Sequence, residues 1–225
     1  MKAHPQSGFT LWELLITLVV AGILFGVGVP NMMELQRNGL VTAAANQLVT
    51  GVLAARAEAV KRQVPVVLCA SPNPTDAAPT CSPDGAGTNG GFIVWADENG
   101  NVDANGAPKL DDASDNNAVV DLNEPILMQV AAPGRTMSVW ADSGYVAYGP
   151  NGFRRNVAAA GLPSASWILL CDERGNRVTS GQLSTARVVR IDFTGRGLVL
   201  QDTADITNAV NQIRASPPGA AATCP

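Results

Sequence analysis

Gly8-Phe9-Thr10-Leu11-Trp12-Glu13, with the apolar run from Leu14 to Val29 behind it, is the stretch from which the rest of the chain is read. From Leu14 to Met33, twenty positions, no residue carries a charge. At about 1.5 Å per helical residue such a run spans roughly 30 Å, the hydrocarbon thickness of a bilayer. Met1 to Gly8 are polar, carry Lys2 as their one fixed positive charge and end in glycine. A secretory signal is cut after its apolar stretch, which is then lost; here the natural cut lies before the stretch, so the apolar helix stays in the mature chain.

Glu13 places a carboxylate at the mouth of this run. An ionisable group at membrane depth costs a few kcal/mol or more unless partnered, so its presence points to function. Cleavage after Gly8 frees an ammonium on Phe9. That amine lies about one helical turn from Glu13 in the same chain, and the amine of an adjacent copy serves equally well. In the second case the buried charge pair sets the stagger between two helices.

This pattern, Gly8-Phe9-Thr10-Leu11-x-Glu13-Leu14 and an apolar helix, resembles the class III signal of type IV pilins and type II secretion pseudopilins. The resemblance implies that a prepilin peptidase cuts after Gly8 and methylates Phe9. It also aligns Glu13, Gly22 and Pro30 with the assembly positions of the pilin pattern. In pilins the stretch matching Gly22 to Pro30 loosens on assembly; small residues in such a stretch equally serve close helix packing in lipid, and the sequence leaves both open. Pro30 removes one helical hydrogen bond and is expected to bend the rod.

The chain has 225 residues, and removing eight leaves 217, enough for one long helix and one globular domain. The expected division is a cleaved leader over 1–8, a transmembrane half-helix over 9–33, an amphipathic half-helix over 34–63 and a periplasmic β-rich domain over 64–225. Val41, Ala45, Leu48, Val52, Ala55 and Ala59 recur at spacings of three and four, giving the outer half one stripe to bury against a sheet.

Charge is uneven along the chain. Asp84 to Glu124 holds nine acids and one lysine, net −8, whereas Arg135 to Arg214 holds nine arginines and six acids, net +3. A general affinity for nucleic acid is not indicated by a total of −4. The single histidine, His4, falls in the leader, so the mature chain has no histidine for a triad, a proton shuttle or a metal site. No phosphate-cradling glycine motif is present either, and neither an enzyme nor a cofactor is expected.

Cys69, Cys81, Cys171 and Cys224 lack the short paired spacing of a zinc or redox site. Behind a membrane anchor they read as disulfides of an exported domain. Three pairings are possible; the favoured one joins Cys69 to Cys81 across a Pro-rich loop and Cys171 to Cys224.

Strands are expected at Val64 to Ala70, Phe92 to Trp95, Ile126 to Val130, Met137 to Trp140, Tyr145 to Tyr148 and Trp167 to Cys171. Two more, Arg187 to Phe193 and Leu198 to Gln201, are joined by Thr194-Gly195-Arg196-Gly197 as a hairpin, and a short helix follows near Ala204 to Arg214. The run from Asp97 to Asp103 has oxygen ligands at Asp97, Asn99 and Asn101 but Val102 and Pro108 where a calcium loop needs Gly and Glu. Two Asp-x-Asn-Gly turns explain it more simply, and no metal site is assigned.

The order of these segments is similar to that of the FimT/GspH branch of minor pilins and pseudopilins. That resemblance implies an α+β fold, a long N-terminal helix packed on two antiparallel sheets. It implies a structural subunit in the inner membrane, near a filament tip, with other minor pilins, the major pilin and the prepilin peptidase as partners. Some FimT-like pilins bind DNA for uptake through a Gly-Arg-x-Arg element. Here the corresponding stretch is Gly195-Arg196-Gly197-Leu198, with one of its two arginines replaced, leaving Arg187, Arg190 and Arg196 as candidate DNA contacts. A pseudopilin of type II secretion is the other alternative.

Overall fold

The computed structural model describes residues 8–77, 79–82, 91–97, 124–132, 137–156, 164–216 and 224. The leader up to Ser7, the calcium-like run beyond Asp97, the acidic stretch Asp111 to Asp121, the Pro133-Gly134 turn and the Pro-Ala tail lie outside these residues. The chain forms two compact units, Met1–Gly39 and Leu40–Pro225.

Helix α1 is Leu11–Arg62. In the first unit its apolar side chains point outward on every side, from Leu11 at 83% exposure to Ile16 at 44%. A helix apolar all round is matched to lipid or to other helices rather than to water.

In the second unit the remainder of α1 packs on two antiparallel sheets. The first contains β1 (Val66–Ala70), β2 (Phe92–Ala96), β3 (Ile126–Val130), β5 (Tyr145–Tyr148) and β6 (Arg154–Arg155), in the order β3-β2-β1-β5-β6. The second contains β4 (Ser138–Ala141), β7 (Trp167–Cys171), β8 (Leu183–Ile191) and β9 (Gly197–Asp202), in the order β4-β7-β8-β9. Helix α2 (Thr203–Ala215) follows.

Register decides what each side chain meets. Val66 pairs with Ala96 and Tyr148, and Leu68 with Val94 and Val146, all facing α1. One residue along, Val67 pairs with Trp95 and Ala147, and Cys69 with Ile93 and Tyr145, forming a separate cluster on the opposite face. Both faces are buried, so the strands read as unbroken apolar runs without the two-residue alternation of a half-exposed sheet. The α1 stripe Val41, Ala45, Leu48, Val52, Ala55 and Ala59 lies in the core with Val139, Ile168, Leu170, Val189 and Ile191 of the second sheet. On that sheet's other face Leu169, Ala186 and Val188 meet Ile206, Ala209 and Ile213 of α2.

Gly51 sets how closely α1 approaches the first sheet. A Cβ there would stand 2.8 Å from Phe92 Cζ and 3.1 Å from Leu68 Cδ1. Disulfides join Cys69 to Cys81, with Cα atoms 5.6 Å apart, and Cys171 to Cys224, at 5.8 Å.

Strand β8 departs most from its expected bounds. It begins at Leu183 because the hydroxyl-bearing Ser184 and Thr185 are buried in the ladder, with Thr185 Oγ1 donating to the Gly175 carbonyl at 2.8 Å. It ends at Ile191 because Asp192 Oδ1 accepts from Thr194 Oγ1 at 2.6 Å and from the Arg196 N–H at 2.9 Å, closing a turn. Phe193, expected as the last residue of the strand from Arg187, lies in the turn instead and is 72% exposed. Gly195 completes the turn at φ +82°, and the Tyr148 hydroxyl donates to its carbonyl at 3.1 Å. The two-residue β6 was not anticipated.

Candidate functional site

The first turn of α1 has its own capping arrangement. Thr10 precedes the helix; its N–H and Oγ1 both donate to Glu13 Oε2, at 3.0 and 2.9 Å, while the Glu13 N–H donates to Thr10 Oγ1 at 3.3 Å. This reciprocal bonding is what a Thr-x-x-Glu sequence forms at a helix start, satisfying two donors that the helix leaves open. The carboxylate also sits at the positive end of the helix dipole. Phe9 beside it is 87% exposed. A Cβ on Gly22 would meet nothing within 4 Å, and the helix runs on through position 30. At the head of its uncovered apolar stretch the first unit thus presents the Glu13 carboxylate, held by a neighbouring hydroxyl.

The three candidate DNA contacts do not form one surface. Arg187 is 6% exposed, and its Nη1 donates to the backbone carbonyls of Ser184 and Ala186, each at 2.9 Å. Burial and the Arg174 guanidinium hold its pKa below the usual arginine range. Arg187 is therefore corrected from a phosphate contact to a buried structural cation beside the Asp172–Arg174 ion pair, which closes at 2.6 Å. Arg190 is exposed and lies over the Trp167 ring, 5.2 Å from its centroid. Arg196 is exposed in the hairpin turn.

Arg154 carries a role that sequence reading missed. Its Nη1 donates to the Ala165 carbonyl at 2.8 Å, Ser166 Oγ at 2.6 Å and the Ile191 carbonyl at 3.2 Å, linking β6 of the first sheet to β7 and β8 of the second. Asp142 is its acidic counterpart. Its Oδ1 accepts from the Ser166 and Trp167 N–H groups at 2.9 and 3.1 Å, and burial raises its carboxyl pKa against those bonds. Burial likewise pushes the Tyr148 phenol up. Two adjacent arginines after a Gly-Pro-Asn-Gly turn were the only available signal.

Among the described residues no three His, Cys, Asp or Glu side chains converge as metal ligands. Asp97, the head of the calcium-like run, is buried at the end of β2.

With this geometry in hand, two family models match. One, described as Type II transport protein GspH, covers residues 44–195, from the buried stripe of α1 to the β8–β9 turn. The chain belongs to the GspH family. The other model, the prokaryotic N-terminal methylation motif, covers residues 4–29. The GspH-family chain is thus a pilin-like structural subunit with the N-terminal motif that prepilin processing acts on, and its apolar helix is suited to membrane anchoring and filament incorporation. Two crystal structures of the Pseudomonas aeruginosa (strain PAO1) type IV minor pilin FimU are similar to it. The form in space group P21 is 15% identical, covers 72% of this chain and 94% of its own, and has a TM-score of 0.36. The form in P65 is 15% identical, covers 71% and 91%, and has a TM-score of 0.34. No curated protein sequence matches the GspH-family chain.

Proposed function

We propose that the chain is a minor subunit at or near the tip of a pilin-type filament, where it helps to start assembly. A prepilin peptidase removes residues 1–8 and methylates Phe9; residues 9–33 anchor the chain in the inner membrane and the domain from 64 onward is periplasmic. Other minor subunits and the major pilin are its partners. The observation that carries this reading is the Glu13 carboxylate at the head of the stretch Leu11–Val29, whose large apolar side chains are exposed. Before assembly Thr10 partners it; in the filament the Phe9 ammonium of an adjacent subunit replaces Thr10, exchanging bonds from uncharged donors for an ion pair.

The experiment is intact-mass analysis of the chain from native cells, with Glu13→Ala in parallel. The expected result is a mature chain starting at methylated Phe9, and a variant that is processed normally but absent from filaments. A chain retaining Met1, or a Glu13→Ala variant that enters filaments at the wild-type level, overturns the proposal. The description of the matching family favours a second reading, a pseudopilus of type II secretion, which loss of secretion rather than of surface pili in a deletion strain would identify. DNA capture is disfavoured by the burial of Arg187. A low-salt gel shift that Arg196→Ala abolishes would reinstate it.

A further inference from the structure

Strand β3 stands at one end of the order β3-β2-β1-β5-β6, so among the described residues its outer edge pairs with no further strand. Every second residue of an antiparallel edge strand aims its N–H and C=O away from the strand it pairs with. Edges are commonly blunted by charge, by proline or by a covering element, yet Ile126-Leu127-Met128-Gln129-Val130 carries no charge and no proline. Beside this edge lies a groove of about 300 Å³, walled by Val94, Leu127 and Met128 of the sheet and by Ala54, Glu58 and Lys61 of α1. The three helical residues recur at spacings of four and three and so share one face. Leu127 and Met128 are half-buried against the core and give the groove an apolar floor. Its helical rim is charged. Glu58 Oε2 accepts from Arg62 Nε at 2.7 Å and Glu58 Oε1 from Lys61 Nζ at 3.2 Å. Lys61 is the looser partner, with its side chain 74% exposed against 34% for Arg62. It is therefore able to turn to another carboxylate while Arg62 stays on Glu58.

We infer that an extended segment of a neighbouring subunit's globular domain adds to β3 as a further strand, seating an apolar side chain in this groove and a carboxylate on Lys61; the inference rests on the proposed filament role. Three observations select that occupant. A row of outward main-chain donors and acceptors is matched by another extended chain; lipid tails offer none, and a helix spends its own on itself. Side chains alternate along a strand, so one residue of the guest enters the groove while the next points away, and the apolar floor selects an apolar residue for the inward position. The exposed ammonium at the rim selects an acidic residue close to it, by charge complementarity.

The full-length chain is expressed in native cells with a photoreactive diazirine side chain in place of Leu127, and in place of Val178, 60% exposed, as the control. Filaments are collected and irradiated, and adducts are mapped by mass spectrometry. The expected adducts from 127 fall in one segment of another subunit's globular domain, with an aspartate or glutamate within two positions of the attachment, and none fall there from 178. In parallel, Lys61→Glu should keep the wild-type melting temperature and Phe9 processing, because the ion pair it removes is exposed, while the yield of that adduct drops about fivefold; Lys61→Arg should retain the yield. Adducts confined to lipid, to an N-terminal helix or to the same chain, an absence of adducts, an attachment with no acidic residue near it, or an undiminished yield from Lys61→Glu overturns the docking inference and leaves the filament role standing. Failure to find the chain in filaments overturns both.

Discussion

Gly51→Ala is a substitution whose sign the structure decides against local propensity. In an open helix the change gains about 0.8–1.0 kcal/mol, because alanine loses less backbone freedom than glycine. At Gly51 the added methyl meets the Phe92 ring, with Cζ 2.8 Å away and Leu68 Cδ1 at 3.1 Å. Phe92 is 3% exposed and lies in the same core cluster as Leu48, Val52 and Leu68, so its ring cannot simply swing clear. Overpacking a closed core costs about 1–3 kcal/mol. The net is a destabilisation of about 1 kcal/mol, which lowers the melting temperature by about 2–4 °C for a domain of this size. Gly39→Ala is the matched control, since a Cβ there meets nothing within 4 Å and only the propensity gain acts. Thermal unfolding of the full chain in detergent, followed by near-ultraviolet circular dichroism, measures both. If Gly51→Ala raises the melting temperature as much as Gly39→Ala does, the close approach of α1 to the first sheet is wrong.

Three further expectations follow from the same core. Among the described residues Ser143 Oγ is buried without a hydrogen-bond partner, beside a cavity of about 30 Å³ lined by Leu48, Phe92, Ile168 and Leu170, so Ser143→Ala should be neutral or stabilising by up to about 1 kcal/mol in urea unfolding; a clear loss of stability would count against it. Asp142 holds its proton more tightly folded than unfolded. Its contribution is present below the unfolded value near 3.9 and is lost as pH rises through the raised folded value. Asp142→Asn keeps Oδ1 as the acceptor, so its melting temperature should gain on the wild type from about pH 4 to pH 7, and parallel pH profiles would refute this. Replacing Cys171 and Cys224 by serine opens a longer loop than replacing Cys69 and Cys81, with sequence separations of 53 and 12. Chain entropy then makes the first pair worth about 4 kcal/mol and the second about 3, an order that denaturant titration of the two double variants checks.

The fold was legible where spacing and burial obey one rule. The stripe from Val41 to Ala59 follows helical periodicity, and each of its six members is buried. Strands β1, β2 and β7 were legible as apolar runs because both their faces are covered. The start of β8 was not, since Ser184 and Thr185 look like loop residues until the Thr185 hydroxyl donates to the Gly175 carbonyl and the Ser184 hydroxyl accepts from the Ala186 N–H. Phe193 misled because Asp192 closes a turn through its own side chain, a local bond that outweighs the alternation on its N-terminal side. At the candidate site the methylation motif over residues 4–29 was legible, because its residues lie next to one another in the chain. Arg187 was misassigned because its burial depends on the segments packed around it, among them the Asp172–Arg174 pair, and the residues next to it in sequence carry no record of that.

A filament subunit is pulled upon, and the bonding of Arg154 determines how its domain yields. Its three acceptors, one on β8 and two just before β7, converge on a single guanidinium nitrogen. Traction that parts the two sheets strains all three contacts together instead of peeling them one after another, so the sandwich should resist as a clasp and then fail abruptly.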